Sequence, residues 1–317
     1  MRHERCRVVT FEDIRRALAA TGYSLDRRPG DSEARFSDGA RYRIEIPSTE
    51  GPAVLRAVIE EAEGREVAVQ RVSQGSGVMM LTDVEIAEMA RLGAQHGIEV
   101  NLFLGPRGAW STGGQAMTTA SHAGSARGNA DLAACLAEAK RACELGIRSL
   151  LVADVGVLAV LNEARALNEL PSNLVLKTSV LLPVANPATA RTLEGLGAGT
   201  INVATDLAVE QLGEIRAATS APLDVYVEVP DDQGGFVRFY EVPQMVRAAA
   251  PMYIKLGIRN SPGIYPTGKH LEDTAIGLGR ERVRRAELCL RLMEELDPEL
   301  IEKPTQTRPD DLAIPEV

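Results

Sequence analysis

The sequence predicts a (β/α)8 barrel of the α/β class, and three observations lead there. Eight short β-rich runs alternate with longer amphipathic stretches between residues 42 and 296. Eight strand–helix units over roughly 250 residues match the size and rhythm of such a barrel. The turn after the first strand, Pro47-Ser-Thr-Glu-Gly51, lacks the glycine-rich phosphate turn that an open dinucleotide-binding sheet places there.

Residues 1–41 form an N-terminal extension: a helical pattern spans Phe11–Ala20, and a Gly-, Asp- and Ser-containing stretch follows, together expected to cap the bottom of the barrel. The barrel proper covers 42–296. Its first strand, Tyr42–Pro47, leads to a helix over Pro52–Ala62; the second, Glu66–Val72, to Asp83–His96; the third, Glu99–Gly105, to Ala130–Leu145. The fourth, Ser149–Asp154, precedes Val157–Leu167, and the fifth, Leu174–Leu181, precedes Pro187–Leu196. The last three are Thr200–Val203, Leu223–Val229 and Tyr253–Ile258, with helices at Ala208–Ala218, Val242–Ala249 and Arg280–Leu296. Short runs rich in branched and aromatic residues read as strands, and apolar recurrence every three to four residues reads as helix. One connection, 106–129, is long and rich in Gly, Ser, Thr and Ala, and it holds the only tryptophan, Trp110, and His122. A loop of that length after a barrel strand is expected to be a lid on the active face. The proline- and acid-bearing tail, 297–317, is expected to be an extended or partly disordered arm, available to a second copy in a homo-oligomer.

Of 317 residues, 45% are hydrophobic and 25% charged, the profile of a soluble globular chain with a large core. The net charge is −9 and basic residues are dispersed, so no stripe attracts nucleic acid and a small-molecule substrate is the expected partner. No apolar run approaches the ~18 residues of a membrane span, and the N-terminus lacks the apolar segment of a signal peptide, so a cytoplasmic location is expected. Cys6, Cys135, Cys143 and Cys289 contain no CxxC pair and read as buried thiols in a reducing compartment.

The C-terminal strand ends of a barrel face one mouth. Glu45, Ser48 and Glu50 follow the first strand, and Gln70, Arg71, Ser73 and Gln74 the second. Asn101 and Arg107 come from the third, Asp154 from the fourth, Lys177, Thr178 and Ser179 from the fifth, Asn202 and Asp206 from the sixth. The seventh supplies Tyr226, Glu228, Asp231 and Asp232, and the eighth Lys255, Arg259, Asn260 and Ser261. Alternation sets Asp224, Tyr226 and Glu228 on one face and Tyr253, Lys255 and Gly257 on one face, making Glu228 and Lys255 expected inward neighbours. A buried lysine followed by arginine, amide and hydroxyl suits an anionic or carbonyl substrate. Lys177 and Lys255 would pair with its charge, or one would be a neutral amine able to form a Schiff base. Glu228, Glu45 and Asp154 would transfer protons or, converging, ligate a divalent ion. His122 and His270 are further acid/base candidates, and Arg259, Asn260, Ser261, Glu45, Arg71, Arg107 and His122 are expected substrate contacts. Any of these pairs would equally serve as a salt bridge that only fills the centre.

From Glu144-Leu-Gly146 onward the chain resembles the peptidase U32 family, TIM-barrel proteins known as collagenase-like proteases. The resemblance runs through Ser149 to Asp154 and Leu158, Lys177-Thr-Ser179, Asn186, the stretch from Gly197 to Leu207, and Glu214-Ile215. It ends where Lys255 and Arg259 hold the spacing of the family's K-x-E-G-R motif, with Ser261-Pro262 following. Departures accompany it. Glu228 stands near the family's histidine, no cysteine follows, and Gly257 occupies the acidic position of the motif. The resemblance thus implies the barrel, the pocket and the Lys255/Arg259 pair, but neither an iron-sulfur cluster nor true proteolysis. The expected function is an enzyme for a small acidic or carbonyl-bearing substrate; a Schiff-base lyase or aldolase using Lys177 or Lys255, and a non-catalytic binding barrel, are the alternatives.

Overall fold

A computed structural model describes residues 10–24, 30–106, 108, 123–182, 184–301 and 309–317. Eight parallel strands close on themselves in sequence order: β1 (Tyr42–Ile46), β2 (Arg71–Ser73), β3 (Glu99–Phe103), β4 (Ser149–Val152), β5 (Val175–Thr178), β6 (Thr200–Asn202), β7 (Leu223–Glu228) and β8 (Met252–Leu256). The barrel shuts through β1 and β8, where Glu45 registers with Lys255. Every expected strand is present, so the predicted fold class is the observed one. No helix among the described residues is long and apolar enough to cross a membrane.

Alternation along each strand separates two chemistries. Outward positions such as Ile44, Val72, Leu102, Leu150, Leu176, Ile201, Val225 and Ile254 are buried in one apolar layer against the helices. Inward positions are polar and equally buried: Glu45, Arg71, Asn101, Lys177, Asn202, Asp224 and Lys255. This inverts the Val, Ile and Leu filling usual inside such barrels.

The helices are α1 (Phe11–Ala20), α2 (Pro52–Gly64), α3 (Asp83–His96), α4 (Gly128–Glu144), α5 (Val155–Ala166), α6 (Pro187–Gly195), α7 (Val209–Arg216), α8 (Val242–Ala249) and α9 (Glu272–Leu296). Their ends follow local chemistry. Thr82 and Glu85 form a reciprocal capping box on α3, which stops at Gly97 with φ 67° in the left-handed region. Asn186 caps α6 through the Thr189 amide. The last helix starts eight residues before the expected Arg280, because Glu272 and Asp273 suit a helix N-terminus and Gly277 and Gly279 are tolerated inside it. Gly279 lies against Val54 and Val58 of α2, where a Cβ would come within 3.1 Å of Val54.

The barrel bottom is capped by two segments. Residues 30–41 do part of what the extension was expected to do: Ser32 donates to the Ala250 carbonyl, and Phe36 meets Tyr253 edge-on at 5.2 Å. Helix α1 buries no residue. The tail differs from expectation. Residues 309–317 pack on their own barrel, with Asp311 paired to Arg43 at 2.7 Å, the Ala313 amide donating to Glu99 and the Glu316 amide donating to the Gly146 carbonyl. Its proline and acidic content resembled a solvated arm, but Leu312, Ala313 and Ile314 are buried.

Candidate active site

The inward side chains form a charged column along the barrel axis. At its base Arg43 pairs with Asp38 at 3.2 Å and Asp311 at 2.7 Å and lies 4.0 Å over the Phe36 ring. Above it Arg71 is the hub. Its guanidinium stacks 3.3 Å over Tyr253, reaches Glu45 at 2.6 Å, binds Asp224 and lies 3.7 Å from Glu99. Lys177 donates to Glu45 and lies 3.4 Å from Asp224. At the top Lys255 is 3.4 Å from Glu45, donates to Asn202 Oδ1 at 3.0 Å and sits 4.2 Å over the Tyr226 ring.

Arg71 and Lys177 therefore offset Glu45 and Asp224. Glu99 lies lower, held by the Ser149 hydroxyl at 2.6 Å and the tail amide of Ala313 at 3.3 Å. Lys255 is left as the uppermost cation. Burial opposes ionisation of Glu45, but Arg71, Lys177 and Lys255 outweigh it and hold the carboxyl well below its ordinary range. Burial and the adjacent Arg71 charge bring Lys177 down to about 7 against the pull of Asp224 and Glu45. Burial also acts against Lys255, yet Glu45 and Tyr226 prevail and keep its ammonium above the usual value.

Above this column is a cavity of about 40 Å3 bordered by Ser48, Ser73, Asn202, Tyr226, Lys255 and Tyr265. One water occupies about 30 Å3 in the liquid, so a larger guest requires the mouth to widen. The Tyr265 hydroxyl bonds Ser48, and its ring lies on Gly75, where a Cβ would come within 2.5 Å of the ring. Glu50 shapes that turn by accepting from the amides of Gly75 at 2.7 Å and Ser76 at 2.9 Å. The Ser73 hydroxyl donates to Glu45, connecting the cavity to Lys177 through one carboxylate.

The other expected residues lie elsewhere. A register shift between Tyr226 and Glu228 pairs Glu228 with Leu256, so Glu228 is not an inward neighbour of Lys255. It accepts from the Arg259 amide at 3.1 Å and lies 3.8 Å from Arg285 of α9; burial raises its pKa. Asp154 is the N-cap of α5, accepting from Val157 at 3.0 Å and from Ala126 at 3.2 Å. It thereby ties the C-terminal end of the 106–129 connection to β4. Glu45, Asp154 and Glu228 do not converge, and among the described residues no group of three or more His, Cys, Asp or Glu side chains is placed to hold a metal. Arg259, Asn260 and Ser261 build the exposed turn after β8: Arg259 pairs with Asp231 at 3.4 Å, the Asn260 amide donates to Asp231, and Ser261 donates to the Ile258 carbonyl. His270 is exposed in the turn before α9. Arg107, Trp110 and His122, and with them most of the expected lid, lie outside the described residues.

Sequence reasoning missed Arg282, which lies 4% exposed on α9 with the charges of Tyr265 and Tyr226 bearing on it. The signal was present. Ala275, Gly279, Arg282, Ala286, Cys289 and Met293 share the buried stripe of that helix, and one member is an arginine.

Residues 126–229, from the approach to α4 through the end of β7, match the family model described as peptidase family U32. No curated protein matches the chain. Solved structures of similar shape include the U32 peptidase Mk0906, at 16% identity over 74% of this chain and 98% of that one, TM-score 0.43. A truncated 3-deoxy-D-arabino-heptulosonate 7-phosphate synthase from Thermotoga maritima matches at 14% identity over 81% and 89%, TM-score 0.43. The carboxyl transferase domain of pyruvate carboxylase from Rhizobium etli matches at 13% over 89% and 57%, TM-score 0.44. The structural likenesses at these scores have no bearing on the site. The likeness to the peptidase U32 family therefore rests on residues 126–229, the segment that builds β4 to β7.

Proposed function

We propose that this U32-like barrel is an enzyme for a small acidic or carbonyl-bearing molecule bound at the C-terminal mouth, and that it is not a protease. The observation that supports this most is Lys255: a buried ammonium bordering the mouth cavity, anchored by Asn202 and facing the Tyr226 ring. Lys255 would neutralise a carboxylate or polarise a carbonyl. Ser73 would pass a proton between the bound molecule and the Glu45–Lys177 pair, whose lysine titrates at about 7. Proteolysis is disfavoured because the positions where the family carries histidine and cysteine hold Glu228 and the Val229-Pro230-Asp231 turn. The buried free thiols Cys135, Cys143 and Cys289 favour a reducing compartment, in keeping with the cytoplasm.

A Schiff-base reading needs an amine both neutral and reachable. Lys177 has the lowered pKa but is 0% exposed beneath Glu45, whereas Lys255 borders the cavity but is held protonated. Borohydride treatment with 2-oxo acids is accordingly expected to leave no adduct; a trapped lysine would favour the lyase reading. The central test is native mass spectrometry of the purified chain beside Lys255→Met. A small acid that accompanies the wild type and is lost from the variant supports the anchor, while equal retention by both removes Lys255 from binding.

A further inference from the structure

Arg282 is a buried cation that the charged column does not use. It is 4% exposed, its Nε and Nη1 have no hydrogen-bond partner, and it makes no ion pair among the described residues. The groups whose charges bear on it are Tyr265, Tyr226, Glu50 and Glu228. None is bonded to it. Glu50 accepts from the amides of Gly75 and Ser76, and Glu228 accepts from that of Arg259 through Oε1, while its buried Oε2 has no hydrogen-bond partner. A guanidinium buried with two unbonded nitrogens is costly for the fold, and no carboxylate among the described residues is bonded to it.

Its position indicates which partner. Tyr226 and Tyr265 form part of the cavity wall, Lys255 stands 4.2 Å over the Tyr226 ring, and Arg282 of α9 is near enough for the charges of both tyrosines to bear on it. Two cations thus lie near one pair of tyrosines. The existing cavity, about 40 Å3, borders Lys255 and would take a carboxyl group there once its mouth widens. Tyr265 belongs to the connection between β8 and α9 and rests on Gly75, so an outward swing of its ring would widen the cavity. We propose that Arg282 receives a second acidic group, making the substrate class a small dianion with separated acids, held at Lys255 and at Arg282 behind a movable Tyr265. This rests on the Lys255 reading and adds the second anchor.

The test is calorimetric titration of the full chain with acetate, malonate, succinate and inorganic phosphate, together with thermal unfolding, for wild type, Arg282→Met, Arg282→Lys and Lys255→Met. Wild type is expected to bind malonate or succinate better than acetate. Arg282→Met should lose roughly tenfold to a hundredfold of that affinity, the range for a lost charged hydrogen bond. Arg282→Lys should fall between. Without ligand, Arg282→Met should melt at or above the wild-type temperature, because the fold does not depend on this charge. Unaltered dicarboxylate affinity in Arg282→Met, or a variant that melts lower or fails to fold, overturns the proposal and makes the arginine structural. Binding of acetate or phosphate lost in Lys255→Met, with no preference for dicarboxylates, overturns Arg282 alone. Dicarboxylate binding that survives Lys255→Met but not Arg282→Met removes the Lys255 anchor and keeps Arg282, and silence toward all four anions overturns both.

Discussion

Glu45→Gln is the substitution to which the charged column should be most sensitive. It keeps the side-chain volume but removes the charge facing Arg71 at 2.6 Å, Lys177 in direct contact and Lys255 at 3.4 Å. Asp224 then faces Arg71 and Lys177 alone, and Lys255 keeps the Asn202 carbonyl and the Tyr226 ring. Removing one partner of a buried ion pair costs about 3–5 kcal/mol. Three cations depend on Glu45, so the upper end applies, with one relief. Lys177 already titrates at about 7, and without Glu45 its folded pKa falls further, so it sheds a proton where the wild type retains it. Its unfolded pKa stays at about 10.4, so the wild type gains stability with pH above about 7 and the variant begins that gain at lower pH. The difference between them should therefore be about 3 kcal/mol at pH 8 and widen toward about 5 kcal/mol as pH falls below 7. Urea unfolding followed by circular dichroism at pH 6, 7 and 8 measures it. A loss under about 1 kcal/mol at pH 6, or one independent of pH, would refute the reasoning that Glu45 offsets the column.

Lys177→Met should abolish the wild-type gain in stability between pH 7 and 10, a slope of at most about 1.4 kcal/mol per pH unit, as seen in urea midpoints across that range. Gly75→Ala should push the Tyr265 ring off Ser48, and because that ring's far end can swing outward, the stability loss should stay near 1 kcal/mol while nitration of Tyr265 accelerates. Deleting 309–317 should destabilise the barrel by about 3 kcal/mol or more, since Leu312 and Ile314 lose burial and Arg43 loses Asp311; thermal unfolding reads it.

Period and polarity made the barrel legible. Runs such as Ser149–Val152 and Met252–Leu256 carry apolar residues on the helix-facing side, and those apolar faces fix the strands whatever the interior holds. The polar inner positions Glu45, Arg71, Lys177 and Lys255 were legible for the same reason, since they break apolar strands at every second residue. Glu228 was misplaced because alternation assumes regular pairing, and one register shift after Tyr226 turns the chain to its other face. Asp154 read as a mouth carboxylate because a strand-end acid and a helix cap share the same sequence position. The tail could not be placed from composition, because its few apolar residues find their cover only where the barrel floor already exists. Arg282 escaped because arginines 280, 284 and 285 around it are solvated partners of glutamates.

The arrangement of the column gives the barrel an electrical axis, with Lys255 toward the mouth and Glu99 toward the sealed floor. The chain as a whole carries −9, so an acid approaching from afar is repelled, whereas one inside the mouth meets the positive end. At physiological salt the repulsion fades beyond about 8 Å, while charges shielded from water persist at close range. Such a field does little to summon an acid from solution; it discriminates at the threshold, and favours molecules small enough to leave the screened exterior entirely.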